Sequence, residues 1–320
     1  MIRAMYAAIG EMRDMPSNPG SRAASVMALV FTTVLWGLSF VSTKVLLRHM
    51  APVQIALLRH AVASIATWIA VAIARPPIRV SRRDIPTMLT AAIVGIPIYY
   101  YFENTGLLHL SAGTASIIIA STPAMTAAVE TIFYRKRLPA AEWAGILVSA
   151  AGVALVVQSG AAQAAATAAG DGRAEFLLGA ALLLAAAFAW SLYTIFNRPN
   201  VATYGALTTN AYQITFATVV LWIATPHSGG AAWRETLANP EVLLNLGYLG
   251  IFCSAIGYSL YLFALRSLGP TVVSAFINLV PVFGVAGSAL MLGERVTPVQ
   301  LAGGAIVVLG IFAVERMQGD

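Results

Sequence analysis

Residues 107–145, LLHLSAGTASIIIASTPAMTAAVETIFYRKRLPAAEWAG, can be laid over residues 265–303, LRSLGPTVVSAFINLVPVFGVAGSALMLGERVTPVQLAG, at a constant offset of 158. This register pairs Leu110 with Leu268, Ser116 with Ser274, Pro123 with Pro281, Arg137 with Arg295 and Gly145 with Gly303. A second block, Leu35-Trp36-Gly37-Leu38-Ser39, falls on Ala189-Trp190-Ser191-Leu192-Tyr193 at an offset of 154 and carries Lys44 onto Arg198. The two halves read as diverged copies of one unit. In a membrane protein such a duplication implies a secondary transporter, with the substrate path between the repeats.

Composition places the chain in a bilayer. Of its 320 residues 59% are apolar and 10% charged, with a mean hydropathy of +0.79, against roughly 25% charged in soluble domains. Apolar stretches of about 20 residues answer a hydrocarbon core of about 30 Å. Ten are expected, near 25–47, 52–74, 86–108, 110–133, 141–159, 176–197, 203–225, 242–265, 269–292 and 298–315. The fold class is therefore an all-α membrane protein of ten transmembrane helices in two five-helix repeats. Barrel strands would alternate apolar and polar residues, and 146–157 and 177–189 do not.

Proline and charge refine this parsing. Pro52, Pro86, Pro139, Pro199, Pro240, Pro270 and Pro298 lie near expected span ends, where a missing N–H matters least. Pro97, Pro123 and Pro281 lie inside spans, so kinks or hinges are expected there, facing protein or a water-filled cavity. Residues 1–24 read as a cytoplasmic tail, 25–159 as the first unit, 160–175 as a flexible linker, 176–316 as the second unit and 317–320 as a short tail. With ten spans, thirteen basic residues fall on the side of both termini and five on the other, with Arg59 inside a span. By the positive-inside rule both termini are cytoplasmic, and an odd number of spans per copy makes the repeat inverted. The net charge of +6 is thus a topology signal; no nucleic-acid partner is expected, because the basic clusters lack interleaved aromatics.

Taken together, the order of these features resembles the drug/metabolite transporter superfamily and its EamA-type units. The residues that carry the resemblance are Trp36-Gly37-Leu38-Ser39-Phe40 followed by Lys44, Pro52 followed by Arg59, Gly106-Leu107 leading to Ser111-Ala112-Gly113-Thr114-Ala115, and Pro123. In the second half they are Leu268-Gly269-Pro270-Thr271, Pro281 and Leu292-Gly293-Glu294-Arg295. Within the superfamily the chain is most similar to the YddG-type exporters of amino acids, including aromatic ones. The resemblance implies export across a bacterial inner membrane. One departure is visible: where the second unit has Glu294, the first has Lys136.

The candidate substrate cavity comprises Tyr99, Asn104, Tyr258, Asn278, Tyr212, Gln213, Trp36 and Trp190. Each sets a polar group or a flat ring inside an apolar span, where lipid tolerates neither cheaply. Tyr99 to Phe102 follow the kink at Pro97, and Gly257, Tyr258 and Tyr261 occupy the equivalent stretch of the second unit, so the two sets are expected on opposite walls of one cavity. Glu103 and Glu130 are the glutamates inside spans and Lys44 and Arg59 the embedded cations; Lys44, Arg59 and Glu103 are read as an ion pair tethering helices or as a gate near the outer face. Gly284, Gly287, Gly303 and Gly304 read as close-packing surfaces.

Enzyme classes find no support in the sequence. No pair of intramembrane aspartates exists, the four histidines are scattered, Cys253 is the single cysteine, and no nucleophile elbow occurs. No cofactor, metal or catalytic residue is expected, and the chain reads as a monomer. Amino acids are the favoured substrates because a phosphorylated sugar would call for several embedded cations; nucleobases, carboxylates, drug-like cations and a non-transporting scaffold stay open. With Cys253 replaced, cysteines introduced at Ser17 and Gln318 should resist an impermeant thiol reagent added outside intact cells. Efficient labelling at either position would refute the expected topology.

Overall fold

The computed structural model describes residues 19–134, 140–167, 171–226 and 235–316, and it is all-helical there. In the first half α1 spans Pro19–Leu46, α2 Pro52–Ala74 and α3 Ile85–His109; α4 is made of Ala112–Ile119 and Thr122–Tyr134, and α5 spans Ala140–Thr167. In the second half α6 spans Gly172–Tyr204, α7 Ala206–Ala224 and α8 Pro240–Leu268. There α9 is made of Pro270–Ala275, Phe276–Leu279 and Val280–Leu292, and α10 spans Pro298–Arg316. Among the described residues eight helices are long and apolar enough to cross a membrane, α7 and α10 falling outside that set.

The exterior is built for lipid. Leu290 is 86% exposed and Ile73 79%, whereas Arg59 is 1% exposed and Asn104, Asn197 and Gln213 are fully buried. In water this distribution would be inside out, because exposed apolar side chains gain nothing there and buried polar ones lose hydration. In hydrocarbon the same distribution is favourable.

Helix ends differ from the sequence reading in three places. The stretch expected as a linker is helical over 160–167 and again from Gly172, with 168–170 outside the described residues. Alanine is the strongest helix former, so the Ala-rich run prolongs α5 instead of releasing the chain. The first helix begins at Pro19, inside the expected tail, whose residues 1–18 lie outside the described ones, as do 317–320. Pro199, expected at a span end, lies inside α6. The side-chain amides of Asn197 and Asn200 donate to the carbonyls of Tyr193 and Phe196 beside it, at 3.1 and 3.3 Å, while the carbonyl that loses its ladder donor is that of Ile195.

The prolines inside spans act in two ways. Pro97 sits within a π-helical stretch, Val94–Ile98, and α8 carries its own π stretch over Tyr248–Gly257. Pro123 and Pro281 instead occupy the first turn of a restarted helix: the first follows a turn at Ala120–Ser121, and the second follows the 3-10 segment Phe276–Leu279. There the absent N–H would have no ladder partner anyway.

Packing exchanges helices between the halves. Helix α1 lies against α8 and α9, and its counterpart α6 lies against α3 and α4; α2 packs on α7 and on the π stretch of α8, and α5 packs on α10. Each contact is the repeat-related image of another or of itself. Two glycines let α9 close on α1 and α4: a Cβ on Gly284 of α9 would stand 2.5 Å from the Ser116 Cβ, and one on Gly37 of α1 would stand 2.5 Å from the Phe283 Cβ. A bulky Gly284→Leu change should therefore cost about 1–3 kcal/mol through overpacking, read as a clear drop in the detergent melting temperature. The control Gly247→Ala, which meets nothing within 4 Å, should leave it unchanged. Equal melting temperatures for both variants would show that the α1–α4–α9 contact is not tight.

Candidate functional site

The aromatic side chains of both halves converge at the centre. Trp36 on α1 and its repeat counterpart Trp190 on α6 meet edge to face, with ring centroids 5.0 Å apart. The hydroxyls of Tyr258 on α8 and Tyr100 on α3 are hydrogen-bonded to each other at 3.2 Å, and these two residues are also counterparts at the offset of 158. Trp190 touches the rings of Tyr99, Tyr193, Tyr258 and Tyr261 as well, at centroid distances of 4.9 to 5.3 Å. The edge-to-face pairs among these contribute about 0.5–1.5 kcal/mol each beyond their burial. The cluster therefore locks the two halves together at the place where their repeat-related residues coincide.

The π stretches explain why these side chains are aimed inward. Trp36 Nε1 donates to the Cys253 carbonyl at 3.0 Å, and Tyr258 donates to the Gly95 carbonyl at 3.4 Å, so each half supplies a donor to the irregular backbone of the other. Asn210 Nδ2 donates to the Ala255 carbonyl at 3.1 Å. Irregular backbone at this depth survives only where protein or water satisfies it.

Beside this cluster lies a cavity of about 30 Å³, room for about two waters and well below the volume of a small-molecule site, so its walls must part to admit a substrate. Its walls are Trp36, Ser39 and Phe40 of α1, Tyr99, Tyr100 and Glu103 of α3, Ile119 and Thr122 of α4, Trp190 of α6, and Ile277 and Val280 of α9. Residues of both halves thus line it. The breaks in α4 and α9 fall at its wall, because Thr122 and Val280 each begin a restarted helix.

Of the residues singled out from the sequence, Trp36, Tyr99, Trp190 and Glu103 line this cavity, and the others serve neighbouring structure. Tyr258 is fully buried and its hydroxyl is taken by Tyr100 and Gly95. Asn104 donates to the Pro52 carbonyl at 3.0 Å and ties α3 to the start of α2. Gln213 donates to Asn197 Oδ1 at 2.5 Å, and Tyr212 donates to the Ile78 carbonyl at 2.8 Å, holding the segment before α3. Asn278 is buried next to the lining residue Ile277, with no hydrogen-bond partner for its Oδ1 among the described residues. Ser39, Phe40, Ile119, Thr122 and Val280 were not singled out for the site, since nothing distinguishes a lining Ile or Thr from a packing one until the helices are docked.

Among the described residues no direct salt bridge joins Glu103 to Lys44 or Arg59, although Arg59 lies near enough to act on the Glu103 charge. Among the described residues the one salt bridge joins His49 and Glu241 at 3.2 Å. Lys44 Nζ instead donates to the carbonyls of Leu107 and Leu110 at 2.5 and 2.7 Å, at the C-terminal end of α3. At the adjoining start of α4 the Glu294 carboxylate accepts from the Ala112 and Gly113 amides at 3.1 and 3.3 Å. A cation at a helix C-terminus and an anion at the next N-terminus each complement the helix dipole. Lys136, the counterpart of Glu294, lies outside the described residues. Arg59 is committed elsewhere too: its Nε donates to Ser254 Oγ at 2.9 Å and its guanidinium lies 4.3 Å from the Tyr100 ring centroid. It does not line the cavity. Glu103 Oε1 accepts from the Tyr99 hydroxyl at 3.0 Å, while Oε2 has no hydrogen-bond partner.

This geometry agrees with what the chain is similar to. The model of the EamA-like transporter family matches residues 23–158 and 177–316, leaving out the segment between the two halves. A "Probable terminal-alkyne amino-acid exporter" of Streptantibioticus cattleyicolor is 30% identical over 91% of this chain and 93% of its own. A "Probable amino-acid metabolite efflux pump" of Escherichia coli is 27% identical over 91% of this chain and 94% of its own. An "Uncharacterized transporter" of Archaeoglobus fulgidus is 26% identical over 91% and 98%. A crystal structure matches with a TM-score of 0.65 over 94% of this chain and 99% of that one, at 16% identity, a likeness of fold alone. Two matched units, eight apolar helices and a cavity walled by both halves converge on one assignment: the chain belongs to the EamA-like transporter family.

Proposed function

We propose that this protein is a multi-pass secondary transporter of the bacterial inner membrane that exports small metabolites, amino acids with aromatic or apolar side chains foremost. In this reading ten helices cross the bilayer in two inverted units, both termini are cytoplasmic, and the cavity between the units opens alternately to either side. The observation that carries the proposal is the cavity itself, which is lined by residues of both halves and bordered by the repeat-related pair Trp36 and Trp190. Ring faces suit an apolar or aromatic side chain, and a few hydroxyls and one carboxylate suit its polar end. The names of the Streptantibioticus and Escherichia relatives point to the same substrate class.

Movement between the two openings is assigned to the breaks in α4 and α9. A helix interrupted by a turn or a 3-10 segment can swing its two pieces with little loss of backbone hydrogen bonds. Pro123 and Pro281 start the moving pieces. Transport is read as facilitative or weakly coupled: Lys44 is held by the Leu107 and Leu110 carbonyls and Arg59 by Ser254 and the Tyr100 ring, not by a salt bridge that a driving ion would have to open.

Liposomes containing the purified protein and preloaded with unlabelled phenylalanine should accumulate labelled phenylalanine by counterflow with no imposed pH or sodium gradient. Trp190→Ala should slow this by about tenfold or more, because several ring contacts of roughly 1 kcal/mol each are lost together. Counterflow of nucleobases, carboxylates or organic cations in place of amino acids would refute the substrate class, and an absolute requirement for an imposed gradient would refute the facilitative reading.

A further inference from the structure

The cavity wall is symmetric in its aromatics and asymmetric in its charge. At the offset of 158, Tyr100 answers to Tyr258, but Glu103 answers to Tyr261. The Tyr261 hydroxyl is engaged by Thr194 at 2.7 Å and by Trp190 Nε1 at 3.2 Å, whereas Glu103 keeps one oxygen without a partner. Only 4% of Glu103 is exposed, and it lines the same wall as Trp36, Phe40, Tyr99, Tyr100 and Trp190.

From this we infer that Glu103 anchors the ammonium group of the substrate, with the surrounding rings forming a cage for that cation and the apolar body beside it. The inference rests on the cavity being the substrate path. Its first support is the chemistry of the wall: a carboxylate among ring faces is the arrangement that recognises an organic cation, through a charge-assisted hydrogen bond and through the negative faces of the rings. Its second support is orientation. The Tyr99 hydroxyl fixes Oε1 and leaves Oε2 free to receive a donor. Its third is the position of the cations. Lys44 is bound to the end of α3, Arg59 is held by Ser254 and the Tyr100 ring, and neither lines the cavity. A buried carboxylate that no cation touches directly is unfavourable; Arg59 acts on Glu103 only from a distance, and an ammonium seated in the cavity would meet the carboxylate directly while its own desolvation is offset. The wall offers no cation for a carboxylate, so the recognised class is a primary amine on an aromatic or apolar body, whether or not the molecule also bears a carboxylate.

Three ligands of one shape separate the possibilities: phenethylamine has only the ammonium, phenylalanine has both charges, and 3-phenylpropanoate has only the carboxylate. As competitors of labelled phenylalanine counterflow in liposomes, the first two should act at concentrations about tenfold or more below that of the third. Glu103→Gln, which can still accept from Tyr99, should weaken the two ammonium ligands by about tenfold or more and leave 3-phenylpropanoate unchanged or stronger. Glu103→Asp, which keeps the charge, should retain the wild-type ranking. Equal competition by all three on the wild type would overturn the inference, as would a wild-type ranking in Glu103→Gln, while phenylalanine counterflow itself would still uphold the transport reading. Absence of counterflow with every ligand would overturn both. If Glu103→Gln fails to insert, the wild-type ranking alone decides.

Discussion

Hydrocarbon offers no hydrogen bonds, so every backbone carbonyl that leaves a regular helix in this chain has to be met by protein. The two π stretches, Val94–Ile98 and Tyr248–Gly257, are where that requirement shapes the molecule. Their carbonyls at Gly95 and Cys253 are answered by Tyr258 and Trp36, each from the opposite half. Once these donors are drawn across, their rings necessarily meet in the middle, and the Trp36–Trp190 and Tyr100–Tyr258 contacts follow. The aromatic centre is thus a consequence of backbone bookkeeping before it is a binding surface.

The same demand disposes of the embedded charges. Lys44 and Glu294 complete the ends of two successive helices, and Arg59 settles between a hydroxyl and a ring face. With these commitments made, Glu103 is left facing the cavity with one oxygen that no cation bonds directly. A symmetric scaffold with one asymmetric charge can hold a substrate in a defined orientation, which an all-aromatic cage could not do.

Much of this was legible from the residues. The duplication around Pro123 and Pro281, the apolar spans and the inward role of Trp36, Tyr99 and Trp190 all follow from period, composition and the aversion of lipid to polar groups. Other features were hidden for identifiable reasons. Asn104, Gln213 and Tyr212 carry the same sequence signal as a substrate ligand, a polar group in an apolar span, but they bond to protein neighbours whose positions depend on docking. Charge alone suggests a pairing of Arg59 with Glu103; Ser254 and Tyr100, remote in sequence, make the direct contacts to Arg59, which acts on Glu103 from farther off. The Ala-rich run after Ser159 looks like a linker by its small residues and continues α5 by its helix propensity.

The central claim is that the cavity between the halves is the substrate path, and substrate protection of thiols placed in its wall tests it most directly. In a Cys253→Ser background, Ser39→Cys and Thr122→Cys put a thiol on two small lining residues, while Ile73→Cys puts one on the exposed apolar face. The account predicts that a water-soluble thiol reagent stops counterflow in both cavity variants, that phenylalanine slows this inactivation, and that the Ile73 variant is indifferent to both. Inactivation at Ser39 and Thr122 that phenylalanine leaves unaltered, or full activity after both thiols have reacted, would contradict it.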